Sequence, residues 1–280
     1  MRHTVHGIVL NVEESGAPNG PPLLLIHGFM GSAKTWETHL AALEKRHRVL
    51  AVDVVGHGLS DAPVETPHYR MEIVVRDLWA LLDALGVERL SLLGYSMGAR
   101  IALQMAVAFP QRVEKLVLES GTPGLADEAE RRTRRAADER QAFSIEIDGV
   151  EAFVAAWERQ PLFATQHALS ADVQEEQRAQ RLRNTPIGLA NALRCTGVGA
   201  QKSLWDSLGS LTMPTALIAG DLDHKFRLIA LAMAERLPTP TTVIVRGAGH
   251  AVHLEHPIVF DHLVAEFIDA SPGLDAEPTA

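Results

Sequence analysis

The sequence predicts an α/β protein: a mostly parallel central sheet with helices on both faces and a helical insertion between two of its strands. Three observations predict it. Short apolar runs rich in Val, Leu and Ile alternate with longer stretches of helical spacing, the rhythm of a parallel sheet. Runs such as Leu23-Leu24-Leu25-Ile26 are apolar at every position, as strands covered on both faces must be. One long stretch, 121–206, has no strand pattern and is dense in charge.

Taken in order, the apolar runs place strands at 6–13, 22–27, 47–53, 89–94, 113–118, 214–219 and 241–246. Met71, Val74, Val75, Leu78, Leu81, Leu82 and Leu85 recur every three or four residues, so 71–85 is a helix that Gly86 terminates. Stretches 97–109, 226–236 and 256–269 repeat that spacing. Within 121–206, Arg131, Arg132, Arg134, Arg135 and Arg140 interleave with Glu128, Glu130, Asp138 and Glu139. These are helices outside the sheet, expected to cover the C-terminal strand ends where open α/β sheets bind ligands. The expected organisation is a core of 1–120 and 207–270, a helical lid of 121–206 and a frayed tail of 271–280.

With 280 residues, 46% hydrophobic and 22% charged, the chain has the balance of a globular protein and not of a disordered or fibrous one. Its 26 Lys and Arg against 35 Asp and Glu give a net charge of -9, which disfavours nucleic acid as a partner. One cysteine, Cys195, allows no internal disulfide and suits a reducing compartment, so a cytoplasmic location is expected. Residues 1–7 lead into an alternating stretch, and no apolar run approaches the roughly 20 residues of a membrane helix. Neither export nor a membrane partner is expected. Neither G-x-G-x-x-G nor G-x-x-x-x-G-K-[ST] occurs, so no nucleotide cofactor is implied. Nothing in the sequence sets the oligomeric state.

The chemical signal is Gly94-Tyr95-Ser96-Met97-Gly98, which follows the strand Leu90–Leu93 and opens a helix. G-x-S-x-G in that setting is a nucleophile elbow: its glycines permit a sharp turn that holds the serine hydroxyl above the sheet edge. A serine hydroxyl needs an imidazole to take its proton, and the imidazole needs a carboxylate to fix its tautomer. Gly247-Ala248-Gly249-His250 follows a predicted strand and supplies His250 as the base. Gly220-Asp221-Leu222-Asp223 follows another and offers two acids, with Asp223 the choice and Asp221 the alternative that shapes the turn. The N-H of Met97 and that of Phe29, in His27-Gly28-Phe29-Met30-Gly31, are the candidate oxyanion donors. His27 reads as a packed structural residue, and the loop within Val52–Asp61 as a structural turn. His250, His253 and His256 fall at three-residue intervals, but no further ligand pattern accompanies them, so no metal is expected.

Those segments together, the HGF loop, the Gly56-His57-Gly58-Leu59-Ser60 segment, the elbow and the GAGH loop, resemble the α/β-hydrolase superfamily over nearly the whole chain. A narrower resemblance is to the 2-succinyl-6-hydroxy-2,4-cyclohexadiene-1-carboxylate synthases, menaquinone-pathway lyases that eliminate pyruvate from a multiply carboxylated cyclohexene. It rests on Gly94–Arg100, Glu119–Leu125, Arg131–Arg140, Trp157–Phe163 and Gly220–Phe226. The resemblance implies a small carboxylated substrate held by Arg100, Arg134 and Arg181, with Arg183 an alternative to Arg181, in a pocket lined by Tyr95 and Trp157. Arginine suits that task because its planar fork matches a carboxylate. It also implies no cofactor, and a triad in which Ser96 acts as a base. Ala99 departs from the family's elbow, where a second glycine is common. The competing reading is a serine hydrolase of the same fold, an esterase or a carbon-carbon bond hydrolase, using the same triad with water.

Overall fold

The computed structural model describes residues 1–270; the expected tail, 271–280, lies outside the described residues. The strands are β1 (Arg2–Val5), β2 (Ile8–Gly16), β3 (Pro22–Ile26), β4 (Arg48–Val52), β5 (Leu90–Tyr95), β6 (Val113–Glu119), β7 (Thr215–Gly220) and β8 (Pro240–Val245). Among the described residues they form one sheet in the order β1-β2-β4-β3-β5-β6-β7-β8. β1 and β2 are antiparallel to their neighbours, and the remaining pairings are parallel.

The helices are α1 (Leu40–Leu43), α2 (Met71–Ala84), α3 (Met97–Ala108), α4 (Glu128–Glu158), α5 (Ala171–Leu182), α6 (Pro186–Thr196), α7 (His224–Ala234), α8 (Val252–Glu255) and α9 (Pro257–Asp269). Successive side chains of β3 point to opposite faces, as strand geometry requires. Leu24 and Ile26 enter a core shared with α2, α3 and α7. Leu23 and Leu25 enter the opposite core with Trp36 and with Phe260, Val264 and Ile268 of α9. Each such buried leucine contributes about 1.5–3 kcal/mol, which explains why these runs are apolar throughout.

Three boundaries differ from expectation. The strand expected at 6–13 is β2 at Ile8–Gly16, and an unexpected strand, β1, precedes it across a reversal at His6 (φ 46°) and Gly7 (φ 85°). Two consecutive left-handed residues make the turn that folds β1 back on β2. The expected helix 256–269 is α9, and an unexpected short helix, α8, precedes it; the two are separated at His256 because the residue before a proline is pushed out of the helical region. Helix α7 starts at His224, earlier than expected, because the Asp223 side chain accepts the N-H of Phe226 at 3.1 Å and caps it.

Between β6 and β7 the described chain forms α4, α5 and α6 and no strand. Helix α4 spans 31 residues but is interrupted at Gly149 (φ 81°, ψ 170°). A Cβ there would meet nothing within 4 Å, so backbone conformation alone favours glycine. Ala142, Ile145, Phe153 and Val154 of α4 pack on Leu189, Ala190 and Leu193 of α6 and on Met30 from the loop after β3. Asn184 adds a bond to the Met30 carbonyl at 2.9 Å. The insertion is thereby fastened to the C-terminal edge of the sheet. Among the described residues no helix is long and apolar enough to cross a membrane.

Candidate active site

Ser96 stands at the turn from β5 into α3 with φ 51° and ψ -103°, a strained conformation for a residue with a side chain. The flanking glycines make the turn possible, because a Cβ on Gly94 would collide with the Gly98 carbonyl and one on Gly98 with the Ile26 carbonyl. The N-H of Ser96 donates to the Glu119 carbonyl at 2.9 Å.

Loops at the ends of β7 and β8 carry the two partners. His250 Nε2 lies 3.0 Å from Ser96 Oγ, and His250 Nδ1 lies 2.6 Å from Asp223 Oδ2. Since an ionised carboxylate only accepts, Nδ1 carries the proton and Nε2 presents its lone pair to the hydroxyl. Both side chains are buried, at 2% and 4% exposure, so the ion pair formed when the imidazole is protonated is shielded from water. Asp221 instead accepts the N-H of Gly247 at 2.7 Å and braces the two loops. Geometry thus brings Asp223, and not Asp221, to the imidazole.

Met97 opens α3, where first-turn N-H groups have no helical acceptor, and Phe29 lies in the loop after β3. Among the described residues no acceptor takes the N-H of either. His27 is a brace: Nδ1 bonds the Gly28 carbonyl at 2.7 Å and Nε2 accepts the N-H of Val54 at 3.0 Å. Burial pulls its pKa down to about 4. His57, 5.2 Å away between ring centroids, falls to about 3, by burial and by the neighbouring His27. The Asp53 carboxylate gathers Ala33, Leu59 and Asn11 at 2.6, 2.7 and 3.0 Å, which makes the following glycine loop a structural element.

Ser96 borders two chambers. The larger, about 270 Å³, is lined by Arg100, Arg134, Leu162, Lys225, Phe226 and His250. The smaller, about 50 Å³, is lined by Tyr95, Gln166, Gln177, Gln180, Arg181 and His253. Phe29, Trp157 and Phe163 line both. Arg100 Nη1 bonds the Thr196 carbonyl at 2.6 Å and Gln201 Oε1 at 2.7 Å. Burial, with Arg134 nearby, lowers its pKa to about 10, so it stays a cation at neutral pH. Arg134 Nε meets Asp138 Oδ1 at 2.7 Å. The Asp138 pKa is raised by burial, which outweighs the opposing pull of Arg134 and Arg100. Arg181 bonds Glu158 at 2.9 Å and Gln166 at 3.1 Å. Arg183 is exposed and lines neither chamber.

Tyr95 packs its ring 4.5 Å from that of His253 and 5.5 Å from that of His250, and burial pushes its pKa well above the usual range. Trp157 lies 5.3 Å from Phe29 and 5.5 Å from Phe163. His253 is paired with Glu119, and among the described residues no group of three His, Cys, Asp or Glu could hold a metal. Sequence reasoning missed the acids that hold the arginines, Asp138 and Glu158, and the three glutamines. Asp138 could have been found from its i, i+4 spacing to Arg134; the glutamines carry no spacing signal.

The arrangement joins a hydroxyl, an imidazole base, free backbone donors and cations in a space walled by Phe29, Trp157, Phe163 and Phe226. It can deprotonate a carbon acid or transfer an acyl group.

Comparison with known proteins agrees with this fold. Residues 21–257 match the family model described as the α/β hydrolase fold. A protein of Bacillus subtilis (strain 168), provisionally named 2-succinyl-6-hydroxy-2,4-cyclohexadiene-1-carboxylate synthase, is 41% identical over 94% of this chain and 95% of its own length. The protein of that name from Salmonella paratyphi C (strain RKS4594) is 34% identical over 86% of this chain and 91% of its own. The solved structure of MenH from S. aureus superposes with a TM-score of 0.88 at 33% identity, covering 92% of this chain and 97% of that one.

Proposed function

The chain belongs to the α/β-hydrolase family, and from that premise we propose that it is a lyase of menaquinone biosynthesis. It eliminates pyruvate from 2-succinyl-5-enolpyruvyl-6-hydroxy-3-cyclohexene-1-carboxylate to give 2-succinyl-6-hydroxy-2,4-cyclohexadiene-1-carboxylate. The observation that carries the reading is a serine-imidazole-carboxylate relay, with contacts of 3.0 and 2.6 Å, opening on chambers lined by three arginines. The names of the relatives supply the product.

The conversion fixes the bonds that change. Going from a 3-ene to a 2,4-diene removes the proton at ring carbon 2, beside the succinyl ketone, and breaks the bond from ring carbon 5 to the enolpyruvyl oxygen. His250, oriented by Asp223, takes the hydroxyl proton of Ser96, and the Ser96 oxygen takes the ring proton. Negative charge gathers on the ketone oxygen, where the N-H groups of Phe29 and Met97 stabilise it. The double bond shifts, the enolpyruvyl oxygen departs with its electron pair, and the imidazolium gives its proton to the leaving group. No acyl-enzyme is needed.

Arg100, Arg134 and Arg181 hold the carboxylates, and Tyr95 and Trp157 shape the pocket. Segment 121–206 is the lid over the core 1–120 and 207–270. The same reading places the enzyme in the cytoplasm. The test is pyruvate release by the purified protein from the cyclohexene precursor. Ser96→Ala and His250→Ala should each lower kcat by about 10³-fold or more. Undiminished activity in either variant would refute the mechanism. Turnover of simple esters far above pyruvate release, insensitive to Arg134→Ala, would make the protein a hydrolase.

A further inference from the structure

The C-terminal end of β6 touches both halves of the proton-transfer pair. Its Glu119 carbonyl accepts the N-H of Ser96 at 2.9 Å. The next residue, Ser120, donates its hydroxyl to the His250 carbonyl at 2.8 Å. The Ser120 N-H is itself bonded to the Ile218 carbonyl of β7 at 2.9 Å. The Glu119 carboxylate, fully buried, takes the N-H of His253 at 3.0 Å and its Nδ1 at 2.9 Å. Two adjacent residues therefore tie the serine turn, the histidine loop and the sheet together.

Ser120 is also buried, with φ 48°. Glycine is the least strained residue in that region, and a side chain there carries a conformational cost. The serine hydroxyl has one evident return, its bond to the main chain of His250. We infer that Ser120 is a positioning residue that sets the separation of Ser96 Oγ and His250 Nε2. Proton transfer between these atoms is steeply sensitive to distance, and a misplacement of ~1 Å can cost ~10²-fold in rate. The inference rests on the proposed roles of Ser96 and His250 but reaches a residue outside the triad and the pocket.

Ser120→Gly tests it, because this variant relieves the backbone while deleting the hydroxyl. The expected result is a kcat lower by about 10- to 100-fold, an unchanged KM and a melting temperature equal to or above that of the parent. A residue needed only for folding would instead give activity that follows stability. Ser120→Ala should lose kcat equally while keeping the strain. A second readout is the low-field NMR resonance of the His250 Nδ1 proton, which should shift or broaden in Ser120→Gly. A Ser120→Gly kcat within about 2-fold of the parent, or an unmoved resonance, would overturn the inference. Failure of the functional reading looks different: the parent protein would itself release no pyruvate, or Ser96→Ala would keep its activity, and the resonance would still report on Ser120.

Discussion

Asp138 holds Arg134 through Nε alone, at 2.7 Å, and leaves both terminal nitrogens of the guanidinium without a partner among the described residues. One edge of the fork is anchored while the rest remains available to the larger chamber that Arg134 lines. Asp138 thus orients the Arg134 guanidinium without consuming it. Asp138→Ala should raise KM by about 10-fold with kcat nearly unchanged, the loss of one charge-assisted hydrogen bond. Asp138→Asn, which keeps an acceptor, should fall between. Steady-state kinetics with equal KM for all three proteins would rule out the orienting role.

Arg100 is anchored twice through Nη1, to the Thr196 carbonyl and to Gln201. A lysine offers a point charge on a different stem and cannot reproduce the planar fork. Arg100→Lys should therefore resemble Arg100→Ala, with kcat/KM lower by at least about 10-fold and a reduced melting temperature. A lysine variant with parental kinetics would show that charge alone suffices.

Acid should weaken the fold through His27 and His57. Both have folded pKa values, about 4 and about 3, below the unfolded value of 6.5, so below pH 6.5 the unfolded chain binds more protons than the folded one. Stability is then lost as pH falls through that window. Between pH 6.5 and 4.5 each histidine removes about 2–3 kcal/mol of unfolding free energy. Urea denaturation across that range measures the slope, which His57→Gln should flatten by nearly half of the two residues' combined contribution.

Ser96→Gly should abolish pyruvate release yet raise the unfolding free energy by about 1 kcal/mol, since the φ of 51° suits glycine. Ser96→Ala, inactive as well, should show no such gain. A thermal melt of the two variants separates them, and equal melting temperatures would argue that the turn is unstrained.

The elbow, the glycine-histidine loop and Asp223 were legible because each requirement is local: a turn too tight for side chains, an apolar strand before it and a chemical group at its tip. The same holds for β3 and β5, whose residues are buried except for the half-buried Pro22 and Tyr95 at one end of each. What could not be read was set by long-range packing. Nothing near Arg181 in the chain marks Glu158 as its partner, and Ser120 has no spacing relation to His250. The β1–β2 reversal was missed for another reason. Its first left-handed residue is His6, which gives a weaker turn signal than asparagine or aspartate before glycine.

The break at Gly149 divides α4 into two rods, one bearing Arg134 and Asp138, the other Trp157 and Glu158. The cationic grip and the aromatic wall of the cavity are therefore mounted on separate arms of one joint. A change in the angle at that single residue would respace them with no substitution at either, so the width of the larger chamber depends on a position that lines neither chamber.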